Sequence, residues 1–163
     1  MVGKDSLVGT VLSLLQEKFK TLFVSRAQRK QEADEHAAIC VQAWRIAKDT
    51  AFELKEIAHH CHLAQESGSF DYDAGRVAAI QGNIALLKAK NCPPELKLTI
   101  SDLEAMIAWI ALCERKMSDP AGVDRSLTTA EAEEKRSHAE QVEAQLVVNA
   151  RLATAEADKF VGW

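Results

Sequence analysis

The chain has 163 residues, 47% of them apolar and 27% charged, which suffices for one folded domain with a single core and excludes a disordered chain. Its formal net charge of −4 provides no general attraction to nucleic acid, so that kind of binding would need a local basic surface. Only 3 prolines and 7 glycines interrupt the sequence, which favours helices over many short strands joined by turns.

The cysteines and the amino-terminal residues indicate a cellular compartment. Four cysteines are spread along the chain without any Cys-x-x-Cys pair, at Cys40, Cys61, Cys92 and Cys113. The apolar run at 7–15 is too short to span a bilayer, charged residues follow it at once, and no small-residue cleavage site is present. We therefore predict a cytoplasmic protein with reduced thiols and no transmembrane segment.

Two helices are predicted in the first 66 residues, over about 6–24 and 30–66. In the second, small side chains alternate spacings of three and four residues, the repeat of a coiled-coil or bundle interface. We name these residues the small-residue seam: Ala37, Cys40, Trp44, Ala47, Ala51, Leu54 and Ala58. Whether the two helices are continuous stays open, because 25–30 contains neither Gly nor Pro.

Three further helices are predicted in the rest of the chain. The third covers about 73–90 and is stopped by Pro93 and Pro94. The fourth, about 102–118, opens with a capping box from Ser101 to Glu104. A second capping box, Thr128-Thr-Ala-Glu131, opens a fifth helix that could reach residue 160.

Together these elements predict an all-α fold, a bundle of four to five helices with one or two long, coiled-coil-like helices. Residues 1–163 form a single helical domain, in which 126–163 could protrude as a carboxyl-terminal helix. The second and fifth helices would each be about 45 Å long, which is more than a compact domain of this size needs. Helices of this length either protrude from the bundle or pack against another chain.

The segment around His59 is the main candidate for a metal site. Glu56 and His59 form a Glu-x-x-His unit like those of di-iron carboxylate bundles, and His62 shares their helix face. A second such unit is missing from the sequence. His36 and Cys40 could also ligate a metal together, but they lie about 35 Å from His59 along a continuous helix. A transition metal at Glu56, His59 and His62 is therefore a minor alternative, and no other cofactor is predicted.

The same segment allows a phosphoryl-transfer role. Ala58-His59-x-x-His62 resembles part of the motif of histidine phosphotransfer domains, which are helical bundles that expose one phosphoacceptor histidine. The resemblance implies that His59 would accept the phosphoryl group. The sequence departs from the motif where His62 replaces the usual lysine and Leu63 the usual glycine.

Two further surfaces could contact other molecules. One basic concentration could meet phosphates, an anionic membrane or an acidic partner, and consists of Lys18, Lys20, Arg26, Arg29 and Lys30. The carboxyl terminus carries Phe160 and Trp163, where terminal residues are usually polar. These aromatic residues either dock back on the bundle or anchor a partner.

Because no complete catalytic set is recognisable, we interpret the chain as a non-enzymatic helical protein–protein interaction or assembly module. It would be an accessory or regulatory subunit that self-associates as a homo-oligomer or binds a larger protein partner. Two alternatives are a metal or phosphoryl-transfer site around Glu56, His59 and His62, and a nucleic-acid-binding protein that uses residues 18–30. The net charge does not favour the second of these.

Overall fold

The computed structural model describes residues 4–119 and 125–161, with side chains from residue 15 onward apart from residue 23. Within this part of the chain the protein is all-α, as predicted. Four helices follow one another, α1 (Lys4–Ser67), α2 (Val77–Lys88), α3 (Pro94–Ser118) and α4 (Arg125–Asp158).

The first two predicted helices are a single one. α1 has 64 residues, which corresponds to about 96 Å. It continues through 25–30 because that stretch has neither Gly nor Pro to interrupt the backbone hydrogen bonds. It ends at Ser67. The next residue, Gly68, has a φ of 74°, the left-handed conformation that glycine adopts after helix ends, and its amide donates to the carbonyl of Ala64 at 2.9 Å.

The two helix starts predicted from capping boxes were wrong. α3 begins at Pro94, about two turns before Ser101, because the fixed φ of proline suits the first position of a helix. Thr128 likewise lies inside α4, where it is buried, and that helix already includes Arg125. α2 begins at Val77, later than the predicted residue 73.

α4 packs antiparallel along α1. At the start of α4, Arg125 donates to the carbonyl of Gly68 at 2.9 Å. Near the other end of α4, Ala150 and Ala153 pack against Ala37 and Cys40 of α1. Small side chains on both helices let the two backbones approach closely. α2 and α3 also pack against α1, and all four helices contribute residues to one large core cluster.

The amino-terminal part of α1 runs beyond this bundle. Every described side chain from 15 to 32 is exposed except that of Ser25, and the buried residues of α1 begin at Ala37. We name residues 4–32 the α1 extension. α4, the helix that could have protruded, lies along α1 instead. None of the described helices combines the length and the apolar character needed to cross a bilayer.

Candidate functional site

The small-residue seam is buried within the chain. Ala47, Leu54 and Ala58 are fully buried, Ala37, Cys40 and Ala51 nearly so, and only Trp44 is half-buried. The close approach predicted for a partner helix is thus met by α4 of the same chain over the part that carries Ala37 and Cys40. Contact of these seven residues with a second chain stays a prediction, and the surface left for such contact lies nearer the amino terminus.

An exposed apolar stripe on the α1 extension continues the line of this seam. Leu15, Phe19 and Leu22 are 47%, 58% and 64% exposed. Their spacings of four and three residues place them on one helix face, and further steps of three or four residues lead through Arg26 and Arg29 to Ala37 on the same face. We name Leu15, Phe19 and Leu22 the exposed stripe. It lies on the face of α1 that α4 covers further along.

A groove forms where α4 ends beside this stripe. Phe160, just past the end of α4, lines an open cavity of about 530 Å³ together with Phe19 and Leu22. Arg26 and Arg29 line the same groove, so an apolar floor lies next to two guanidinium groups. Phe160 is half-buried, and Trp163 lies outside the described residues.

The predicted basic residues surround the exposed stripe. All five are exposed, and all lie on the α1 extension: Lys18, Lys20, Arg26, Arg29 and Lys30. Between 4 and 30 the sequence has six basic residues and two acidic ones, whereas the whole chain has a net charge of −4. The positive charge is therefore concentrated on the projecting end, and the bundle carries the negative charge.

The structure does not bring the predicted metal ligands together. The exposed His62 places Nε2 3.0 Å from Oε1 of Glu133 on α4, whereas Glu56 lines a hollow beside Tyr72. A hydrogen bond from Arg136, and a weaker contribution from His62, hold the pKa of Glu133 below its ordinary value. Among the described residues, no group of three His, Cys, Asp or Glu side chains is arranged to hold a metal ion.

The second histidine and cysteine group also stays separate. Nε2 of His36 lies 3.7 Å from Sγ of Cys40, so these side chains are neighbours as their spacing predicts. Burial is the main cause that raises the pKa of the Cys40 thiol, and this favours the unreactive protonated form. Because α1 is continuous, this pair and His59 remain at a distance along the same helix.

A buried carboxylate on α1 was missed in the sequence. Glu53 is 3% exposed, accepts a hydrogen bond of 2.6 Å from the Tyr72 hydroxyl, and lies 3.9 Å from the Arg76 guanidinium. Burial, followed by the hydrogen bond with Glu53, raises the pKa of Tyr72 well above its ordinary range. The sequence contained one signal for the burial of Glu53. A second row of apolar residues on α1 has a helical spacing that also passes through residues 50 and 53. This row consists of Ile39, Ala43, Ile46 and Ile57.

The buried thiols include one close pair between α1 and α3. Sγ of Cys61 lies 3.6 Å from Sγ of Cys113, both side chains are fully buried, and the four cysteines are free. The hydrogen bond between the two thiols, with burial second, raises the pKa of Cys113. The same hydrogen bond lowers the pKa of Cys61, while burial shields both thiols from reagents, so we assign the pair to the core.

No family model, no curated protein and no solved structure matches this chain. The exposed stripe differs from the other candidates because it combines large apolar side chains, a groove and a local charge on the α1 extension, whose described side chains are almost all exposed.

Proposed function

We propose that the protein is a non-enzymatic helical interaction and assembly module, which self-associates or binds a larger protein partner through the exposed stripe. The observation that carries this proposal is the exposure of Leu15, Phe19 and Leu22 on the face of α1 that α4 covers further along. Burying one such side chain stabilises a complex by about 1.5–3 kcal/mol.

The helical state of the α1 extension also supports a partner. Most of the stability of a helix in a protein comes from packing of its apolar face, and an isolated helix in water is marginal. The described part of the extension has its apolar side chains in solvent, and Phe160 provides the contact at its bundle end. A second helix on this face would supply the missing packing.

The two alternatives have less support. A metal or phosphoryl-transfer site would need Glu56, His59 and His62 to act together. His62 instead contacts Glu133, and Glu56 lines a separate cavity beside Tyr72. Nucleic-acid binding through residues 18–30 would be expected to use aromatic stacking between the basic residues. Phe19 lies in that stretch, but it belongs to the apolar groove.

Affinity capture and size-exclusion chromatography with light scattering test the proposal. We expect the wild-type protein to form a dimer, a larger assembly or a complex with a defined protein, and the double variant Phe19→Ser/Leu22→Ser to lose it. The matched control is Leu86→Ser/Leu98→Ser, since these leucines are 64% and 75% exposed on the bundle. A monomer that captures no partner would contradict the proposed function.

A further inference from the structure

We infer that the exposed stripe is covered by the α1 extension of a second copy of this chain, packed antiparallel about a two-fold axis near residue 17. This inference rests on the proposed function, because it names the partner of the same surface. It follows from where α4 ends, from the register of the stripe and from the distribution of charge along α1.

The position where α4 ends indicates the direction of a helix that would cover the exposed stripe. α4 runs antiparallel to α1 and ends at Asp158, and Phe160 beyond it lies beside Phe19 and Leu22. A helix that continues the same face towards the start of α1 would extend the existing α1–α4 interface. The α1 of a second copy can lie on this face with its amino terminus towards the bundle, and it then runs antiparallel to the first α1.

The length and register of the α1 extension are self-complementary. If the two extensions overlap from Lys4 to Lys30, Leu15 of one copy lies opposite Phe19 of the other, and the axis passes near residue 17. Each extension then covers the other over about 40 Å. Both apolar stripes are buried by one closed two-fold contact, as in most homodimers.

Charge favours the antiparallel over the parallel arrangement. In a parallel pair, each of Arg26, Arg29 and Lys30 would lie beside its own copy, and like charges at such positions are destabilising. In the antiparallel pair, these residues lie opposite the first two turns of the other α1. Between 4 and 8 those turns contain one lysine and one aspartate, so Arg26, Arg29 and Lys30 of the two copies are kept apart at opposite ends of the contact, and only Lys18 stays close to its own copy near the axis.

Spin labels on single introduced cysteines test the arrangement in the full-length protein. Lys18→Cys and Lys30→Cys place labels at two exposed positions of α1, and the four native thiols are buried and react slowly. In the antiparallel dimer, the two labels at residue 18 are offset along the axis by about 3 Å, and those at residue 30 by about 39 Å. A parallel dimer would give equally short distances at both positions.

Sedimentation over a concentration series provides the second measurement. We expect a monomer–dimer equilibrium whose dissociation constant rises by at least about tenfold in Phe19→Ser/Leu22→Ser and stays unchanged in Leu86→Ser/Leu98→Ser. Circular dichroism establishes that each variant keeps its helices. Equal label distances at residues 18 and 30, or a protein that stays monomeric at the highest concentration, would overturn the inference.

The remaining outcomes identify other occupants. Co-sedimentation with phosphatidylcholine vesicles, with or without phosphatidylglycerol, tests whether an anionic bilayer covers the stripe instead. Salt-sensitive binding of a monomer to the anionic vesicles, lost in Phe19→Ser/Leu22→Ser, would overturn the second-copy inference. A monomer that binds a different, defined protein through the stripe would also overturn it, but would leave the proposed function standing.

Discussion

Glu53 shows how one residue joins the core of α1 to the segment that follows it. A buried carboxylate is costly unless its oxygens are hydrogen-bonded. Its side chain is 4% exposed, and Tyr72 donates to Oε2, which connects α1 to the segment between α1 and α2. The exposed Arg76 lies 3.9 Å from Oε1 and adds an opposite charge at the rim. Most of the compensation therefore depends on the tyrosine hydroxyl.

Tyr72→Phe should lower the free energy of unfolding by about 1–3 kcal/mol, since it leaves a buried carboxylate oxygen without its donor. Urea denaturation of the wild-type protein, Tyr72→Phe, Glu53→Gln and the double variant measures the effect as a double-mutant cycle. We expect a coupling energy between the two positions. Additive effects of the two single changes would show that the hydrogen bond does not stabilise the fold.

The pH dependence of stability should report the same tyrosine. An ordinary tyrosine has a pKa of about 10, and that of Tyr72 is raised in the folded protein by burial and by Glu53. Above pH 10 the unfolded chain loses this proton while the folded chain keeps it, so the free energy of unfolding falls as pH rises. Below pH 10 both states hold the proton and the contribution is constant.

Tyrosinate absorbance gives a direct measurement, because Tyr72 is the only tyrosine in the chain. In the native protein we expect ionisation well above pH 10, and in concentrated urea an ordinary titration. Tyr72→Phe should remove both the signal and its share of the decline in stability at alkaline pH. A native titration at the ordinary pKa would mean that the hydroxyl is exposed to solvent.

At the scale of the elements, apolar periodicity predicted more of the fold than the local signals did. It placed the long helix and its small-residue seam, because a repeat of three and four residues extends over many turns. The capping boxes at Ser101 and Thr128 misplaced two helix starts, since serine, threonine and glutamate are also accepted inside helices that packing stabilises. Pro94 was interpreted as a stop, although a proline at a first helical position also permits a start.

The candidate site was predictable only in part. The basic residues of the α1 extension were recognised, and their placement on one exposed segment follows from the continuity of α1. Which face stays uncovered depends on where α4 packs and ends, and this is set by contacts between residues far apart in sequence. The pairing of Glu53 with Tyr72 was hidden for the same reason, because nothing local to either residue indicates the other.

The close packing of α1 and α4 should be sensitive to side-chain volume. Ala139 is fully buried on α4, whereas Ala144 on the same helix is exposed. Ala139→Leu should lower the free energy of unfolding by about 1–3 kcal/mol, because the added atoms force the backbones or neighbouring rotamers apart. Ala144→Leu is the matched control and should have little effect. Equal urea midpoints for the two variants would argue against close packing at this position.

At the scale of the whole molecule, the chain combines a bundle with a basic extension. Buried residues of α1 begin at Ala37, and from there to Ala157 the described core residues belong to the bundle. A compact chain of this length would have a radius of gyration of about 15 Å. A helix of 64 residues that runs past its bundle should raise this value, and mutual pairing of two extensions should elongate the particle further.

Removal of residues 1–24 should therefore separate stability from association. The described side chains from 15 to 24 are exposed, so we expect the free energy of unfolding at concentrations below the dimerisation range to change by no more than about 0.5 kcal/mol. Loss of Phe19 and Leu22 should at the same time abolish the dimer. Urea denaturation and sedimentation of the full-length and shortened proteins measure the two effects. A large loss of stability in the shortened monomer would show that the extension belongs to the fold of its own chain, and that the packing of Phe160 depends on the extension.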